Sequence, residues 1–156
     1  MVDRSYIRVT ALAVLPNEAG THHAVMAASD PASGERFHRP LGGGVELGER
    51  AVDAVVREIA EELGATLVEP RLLGVLENIF TYDGAPGHEV VFLYAGRLAQ
   101  GDVVPEGGAE FADNGVPMWV EWRPLDDASI DVPLYPDGIG SLLAHADLGG
   151  VDAEER

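Results

Sequence analysis

The chain has 156 residues, a formal net charge of -17 and no cysteine. That length suits one domain able to bury its own core, and the missing thiols exclude a disulfide scaffold, a thiolate zinc site and a cysteine nucleophile. The charge argues against nonspecific attraction to nucleic acid or to an anionic membrane, because the long-range field repels both; an anionic ligand must be drawn in locally, by bridging cations or by some of the ten arginines.

The opening residues, MVDRSYIRVT, show no charged region leading into an apolar run, and no apolar stretch approaches membrane-spanning length, so a cytoplasmic setting is expected. Residues 1–150 read as a single α/β domain with a flexible tail over 151–156. Residues 5–15 are β-branched and apolar enough for a buried strand, closed by a turn at Pro16, Asn17 and Gly20. A second strand is expected over 22–29 and a short third from Arg36 to Leu41, leading into three glycines. A helix begins near Glu49, with Val52, Val55, Val56, Ile59 and Leu63 on one stripe at 100° per residue and Gly64 as its stop. Strands follow over 70–82 and 88–98. The Gly- and acid-rich stretch between Gly101 and Gly115 reads as a loop too polar for the core. A strand over 117–123 and a short helix from Ile139 to Ala146 complete the order.

On the same helical wheel Glu58, Glu61 and Glu62 gather on a second face, roughly 100° or more from the apolar stripe. Like charges one turn apart repel by a few tenths of a kcal/mol per pair, and a divalent cation turns that repulsion into binding. Hard cations such as Mg2+ take a few carboxylates together with phosphate oxygens, which fits this inventory better than a metal preferring His or Cys. Glycines 42–44 allow a tight turn that brings backbone close to a ligand.

Taken together, Gly43, Glu49, Arg57, Glu58, Glu61, Glu62 and Gly64 follow the spacing G-x5-E-x7-R-E-U-x-E-E-x-G-U, with U aliphatic. This resembles the signature box of the Nudix hydrolases at every polar and glycine position, with Ala65 smaller than usual at the last aliphatic one. The resemblance implies the Nudix fold, an α/β/α sandwich around a mixed β-sheet. It also implies a Mg2+-dependent pyrophosphohydrolase, with Mn2+ as a substitute, that cleaves a nucleoside diphosphate linked to another moiety. Nucleotide sugars, dinucleoside polyphosphates and nucleoside triphosphates all remain open as substrates. A noncatalytic nucleotide sensor is the alternative, and isomerase chemistry on an isoprenoid diphosphate calls for a cysteine that this chain lacks.

Residue by residue, the resemblance makes Glu58, Glu61 and Glu62 metal ligands, adds the Gly42 carbonyl, and makes Glu49 and Arg57 a brace between loop and helix. The general base lies in the box in some relatives and in a later loop in others, which points to Glu58, Glu110 and Glu106, with Asp113 behind them. Arg39 is placed to reach a phosphate, Arg8 interrupts an apolar strand and needs a partner, and Tyr82 matches the spacing of a tyrosine in relatives acting on dinucleoside polyphosphates. Glu77 and Glu89 fall in or beside strands. Phe80, Phe111, Trp119 and Trp122 are available for stacking or for core packing. Homodimers among relatives make a homodimer an expectation by analogy.

Overall fold

A computed structural model describes residues 5–128 and 130–148. The expected tail over 151–156 lies outside them. The described elements are β1 (Arg8–Val14), β2 (His22–Ser29), β3 (Arg36–Gly44), α1 (Ala51–Leu63), β4 (Leu67–Tyr82), β5 (Ala85–Leu98), β6 (Ala109–Asp113), β7 (Val116–Pro124) and α2 (Ile139–Ala144). The strands run in the order β4-β5-β1-β3-β2-β7-β6, and the sheet is mixed because β1 and β5 are parallel while the other neighbours are antiparallel.

β1 is apolar on both faces because both are covered. Ala11, Ala13 and Leu15 pack with Val55, Ile59 and Leu63 of α1, whereas Leu12 and Val14 pack with Val91, Leu93 and Ile139 of α2. Two apolar clusters, one on each side of the sheet, make the three-layer α/β/α arrangement. The valine-rich stripe of α1 does what its period predicts: Val55, Ile59 and Leu63 are buried, and Val52 and Val56 pack against the same cluster.

β3 joins the two halves of the sheet. Its first part, Arg36 to Pro40, pairs with β2, and its second part, Leu41 to Gly44, pairs with β1. Phe37, from the first part, meets Tyr82 of β4, and Asp83 donates its backbone N–H to Asp30 at 3.0 Å, so the two halves touch as well as share a strand.

Several elements depart from the pattern expected of the sequence. β3 runs on through Gly44, past the expected end at Leu41, because its glycines pair with β1 instead of forming a tight turn. β6 forms inside the stretch expected to be a loop, because Ala109, Phe111 and Asp113 alternate with exposed Glu110 and Ala112; Phe111 reaches the core cluster, and the strand needs only one packed face. Its hairpin to β7 turns through Asn114 (φ 50°) and Gly115 (φ 80°), as Asp83 (φ 53°) and Gly84 (φ 75°) join β4 to β5. Two-residue turns of this hand need positive φ at both positions, which Asn-Gly and Asp-Gly supply. β4 begins at Leu67, earlier than expected, and accommodates Pro70 at a register shift on the outer strand of the sheet. α1 begins at Ala51, because Glu49 is engaged outside the helix.

Candidate metal and catalytic site

Glu58 and Glu62 are one turn apart on α1 and point beneath the glycines of β3, where they are 9 % and 5 % exposed. Asp113, at the end of β6, completes the group: ligand atoms from Glu58, Glu62 and Asp113 all lie within 4.8 Å of one another. Strand parity explains why Asp113 arrives. It shares the inward side of β6 with Phe111, whereas Glu110 projects outward. On sequence alone Asp113 ranks behind Glu110 and Glu106; the Asn-Gly turn after it is the signal that this stretch is a hairpin strand with an inward side.

The three carboxylates are crowded, with Glu58 and Glu62 buried and Asp113 partly so. Burial pushes the Glu62 carboxyl up to about 8, with Asp113 and Glu58 adding to the effect, against weaker opposition from Arg39 and from the Gly42 amide, which hydrogen-bonds it. Burial also raises Glu58, against the pull of Arg57. Glu62 Oε1 is fully enclosed and has no hydrogen-bond partner among the described residues. A buried carboxylate oxygen without a donor is costly unless something positive meets it. An oxygen-only donor set with that orphaned atom fits a hard divalent cation.

The glycines hold the acids close. A Cβ on Gly43 would lie 2.6 Å from the Glu58 carboxyl carbon, and one on Gly42 would lie 2.1 Å from the Ala11 carbonyl oxygen. Gly42 also has φ of 142°, outside the range of ordinary side chains.

Arg57 ties the loop to the helix. Its Nε and Nη2 donate to the two Glu49 oxygens at 2.9 Å each, Nη2 also to the Gly44 carbonyl at 3.1 Å, and Nη1 to Glu58 Oε1 at 2.9 Å. The forked pairing holds Glu49 down to about 2 and raises Arg57 further above its already high value. Glu49 Oε1 in turn accepts the Glu46 backbone N–H at 3.1 Å, which fixes the approach to α1.

The other candidate residues spread around this centre. Glu61 stands outside the group of three, exposed and 3.4 Å from Arg57 Nη1. Glu106 and Glu110 are exposed, the first in a turn and the second on the outward side of β6. Arg39 lies 4.0 Å from the buried Glu89 carboxylate and bears on Glu62. Arg8 stands opposite Glu89 in the parallel pair, with its Nη2 against Gly44. Tyr82 is half-buried against Phe37. Glu77 accepts from His88 Nε2 at 3.0 Å. Phe111 and Trp122 pack on the core, Phe80 covers Gly87, and Trp119 is 43 % exposed, its Nε1 donating to Glu121 at 2.9 Å.

Comparison with known proteins agrees with this fold. The MutT NUDIX hydrolase from Burkholderia pseudomallei is similar in structure, with a TM-score of 0.62 and 22 % identity over 92 % of this chain and 100 % of that one. The mutator MutT protein from Bacillus halodurans gives 0.59 and 18 % over 89 % and 81 %, and the MutT protein from Methanosarcina mazei Go1 gives 0.58 and 17 % over 92 % and 94 %. These likenesses concern the fold. No curated protein matches the chain. The model of the NUDIX domain matches residues 7–143, from the start of β1 into α2, and so takes in every group described above. The chain belongs to the NUDIX family and is a hydrolase acting on phosphoric anhydride bonds.

Proposed function

We propose that the protein is a Mg2+-dependent pyrophosphohydrolase that cleaves a nucleoside diphosphate linked to another moiety into a nucleoside monophosphate and a phosphorylated remainder, working on small nucleotides in the cytoplasm. The observation that carries this reading is the trio Glu58, Glu62 and Asp113, with an enclosed carboxylate oxygen that has no hydrogen-bond partner among the described residues. Glu58, Glu62 and Asp113 are the residues that would hold the cation. When bound, a divalent ion neutralises diphosphate oxygens and makes water more acidic.

The protein's own residues do the rest. Glu58 is the proton acceptor the geometry favours: it is buried and fixed at Oε1 by Arg57, which leaves its second oxygen toward the site, whereas Glu106 and Glu110 face solvent. In the reaction a water oxygen bonds to phosphorus, the bridging oxygen leaves with the electrons of the broken P–O bond, and the water's proton passes to the carboxylate. Arg39 is positioned to exchange its long 4.0 Å pairing with Glu89 for a forked contact to phosphate oxygens. Arg57 keeps loop and helix at a fixed spacing while this happens. The net charge of the chain repels an anionic substrate everywhere except at this neutralised centre.

The test is turnover of a nucleotide panel with Mg2+ or Mn2+, the products identified by mass. Cleavage within a diphosphate linkage, abolished by Glu62→Gln and by EDTA, is the expected result. Binding without turnover of any member would transfer the reading to a nucleotide sensor.

A further inference from the structure

The face of the sheet that carries α1 is wider than α1. Ala11 and Ala13 of β1 pack with that helix, so Val9 lies on the same face, and alternation carries Ile7, just before β1, there as well. Strand pairing extends the face sideways. Val9, Ala11 and Ala13 stand beside Val90, Phe92 and Tyr94 of β5, and these stand beside Glu77, Val75 and Leu72 of β4, with Ile79 beside His88. Tyr94 and Phe92 join the cluster under α1, whereas Ile7, Val9, Leu72, Val75 and Ile79 are between 39 % and 71 % exposed, with Val90 half-buried among them. Single apolar side chains scattered over a surface are ordinary, but here five of the nine large ones exposed among the described residues share one shelf. β4 is the terminal strand of the sheet, so the shelf is open on that side.

Charge narrows what can cover it. In the rows from Leu72 to Ile79 the acidic and basic side chains are Glu77 and His88, with the histidine Nε2 3.0 Å from the Glu77 carboxylate. One acid beside one base leaves the shelf balanced in a chain whose formal net charge is -17. That net charge repels a nucleic acid or an anionic membrane, and a basic protein would find acids to pair with over most of the surface. A two-fold axis sets the apolar patch on its own copy and each Glu77 toward the partner's His88, so a balanced patch is complementary to itself.

The area suits a weak contact. A fully exposed Val, Leu or Ile side chain presents about 60–120 Å² of apolar surface, so two copies of the five contribute roughly 300–600 Å². Specific interfaces at the weak end bury about 1,200 Å² in total, a little over half of it apolar. Val90 and Phe92, each partly exposed, supply most of the remaining apolar part.

We propose that this shelf is the contact face of a weak, reversible homodimer, in which the sheets of two copies pack face to face about a two-fold axis near Val75 and Glu77. Sedimentation velocity over a series from about 5 to about 500 μM brackets the affinity expected of so small a contact. The wild type shifts from one chain to two across the series and goes no further. Ile79→Glu, at a position 71 % exposed where the fold tolerates change, weakens association at least about tenfold, whereas Val116→Glu, 64 % exposed on the β6–β7 hairpin, leaves it unaltered. Circular dichroism melts confirm that both variants fold. Because the chain holds no cysteine, Val75→Cys introduces a single thiol. A mild oxidant converts that variant to a disulfide-linked dimer and leaves Val116→Cys largely unlinked. A wild type that stays monomeric throughout, a dimer indifferent to Ile79→Glu, or growth beyond two chains overturns the proposal. So does a monomer that binds anilinonaphthalene sulfonate and loses that binding in Ile79→Glu, because the shelf then serves an occupant other than its own copy.

Discussion

Replacing Glu62 by Gln removes a buried charge while keeping shape, and its effect on stability depends on pH and on metal. In the metal-free protein the carboxyl is 5 % exposed, has an unpartnered Oε1 and is pushed up to about 8 from an ordinary 4.5. A carboxyl whose folded pKa exceeds its unfolded one binds its proton more tightly in the native state. Its contribution is complete below 4.5 and is lost as the pH rises through about 8. At about 1.4 kcal/mol per pH unit, that interval sets a ceiling of about 5 kcal/mol on the loss. Urea denaturation in EDTA from pH 5 to 9 measures it. The wild type is expected to lose several kcal/mol across that range relative to Glu62→Gln, so at pH 9 the inactive variant is the more stable protein. Mg2+ at a hundred times its dissociation constant then returns about 3 kcal/mol to the wild type and much less to the variant. Parallel pH profiles, or equal stabilisation by Mg2+, would refute the assignment of Glu62 as a buried acid awaiting a cation.

Gly43→Ala places a methyl 2.6 Å from the Glu58 carboxyl carbon, which Arg57 holds in place; kcat is expected to fall about a hundredfold with little change in unfolding, checked by kinetics beside a urea melt. Asp113→Asn should weaken Mg2+ binding at least tenfold by calorimetry, whereas Glu110→Gln, on the outward side of the same strand, should leave kcat within about threefold. Arg57→Lys loses the forked pairing with Glu49 and the bond to Gly44, costing about 2–3 kcal/mol in denaturant titration, and a full recovery of stability by lysine would count against the brace. His23, 1 % exposed with Nδ1 unpartnered, is held down to about 4 chiefly by burial. Its contribution is present above 6.5 and lost as the pH falls through about 4, a loss of about 3 kcal/mol that His23→Gln should abolish in acid denaturation.

Much of the fold was legible because it rests on short-range pattern. The α1 stripe follows the helical period, Gly64 ends it at φ of 65°, and β1 reads as continuously apolar from Ala11 onward because both its faces are covered there. The resemblance to the box also implies the Arg57–Glu49 pairing, and Arg57 Nε lies 2.9 Å from Glu49 Oε2. What composition concealed was β6. Counting glycines and acids over 101–115 gives a solvated loop, but Ala109, Phe111 and Asp113 form a period-two row that the Asn-Gly turn folds against β7. Likewise, the helical wheel groups Glu58, Glu61 and Glu62 by angle alone and carries no information on what covers them. β3 and β6 lie over the first and third, and Glu61 is left to solvent and Arg57.

The site itself divides in the same way. The acid trio draws two members from one helix turn and the third from a strand about fifty residues later, so local spacing can name two of the three. Three aromatic rings depend on still longer connections: Phe37, Tyr82 and Tyr135 are brought together by the bend of β3, by the β4–β5 hairpin and by a segment that Arg123 and His38 tether. No pattern within any one of those stretches marks them. Spacing within 43–65 can therefore name acids that share one helix turn, but it carries no sign of the groups that distant segments bring to them.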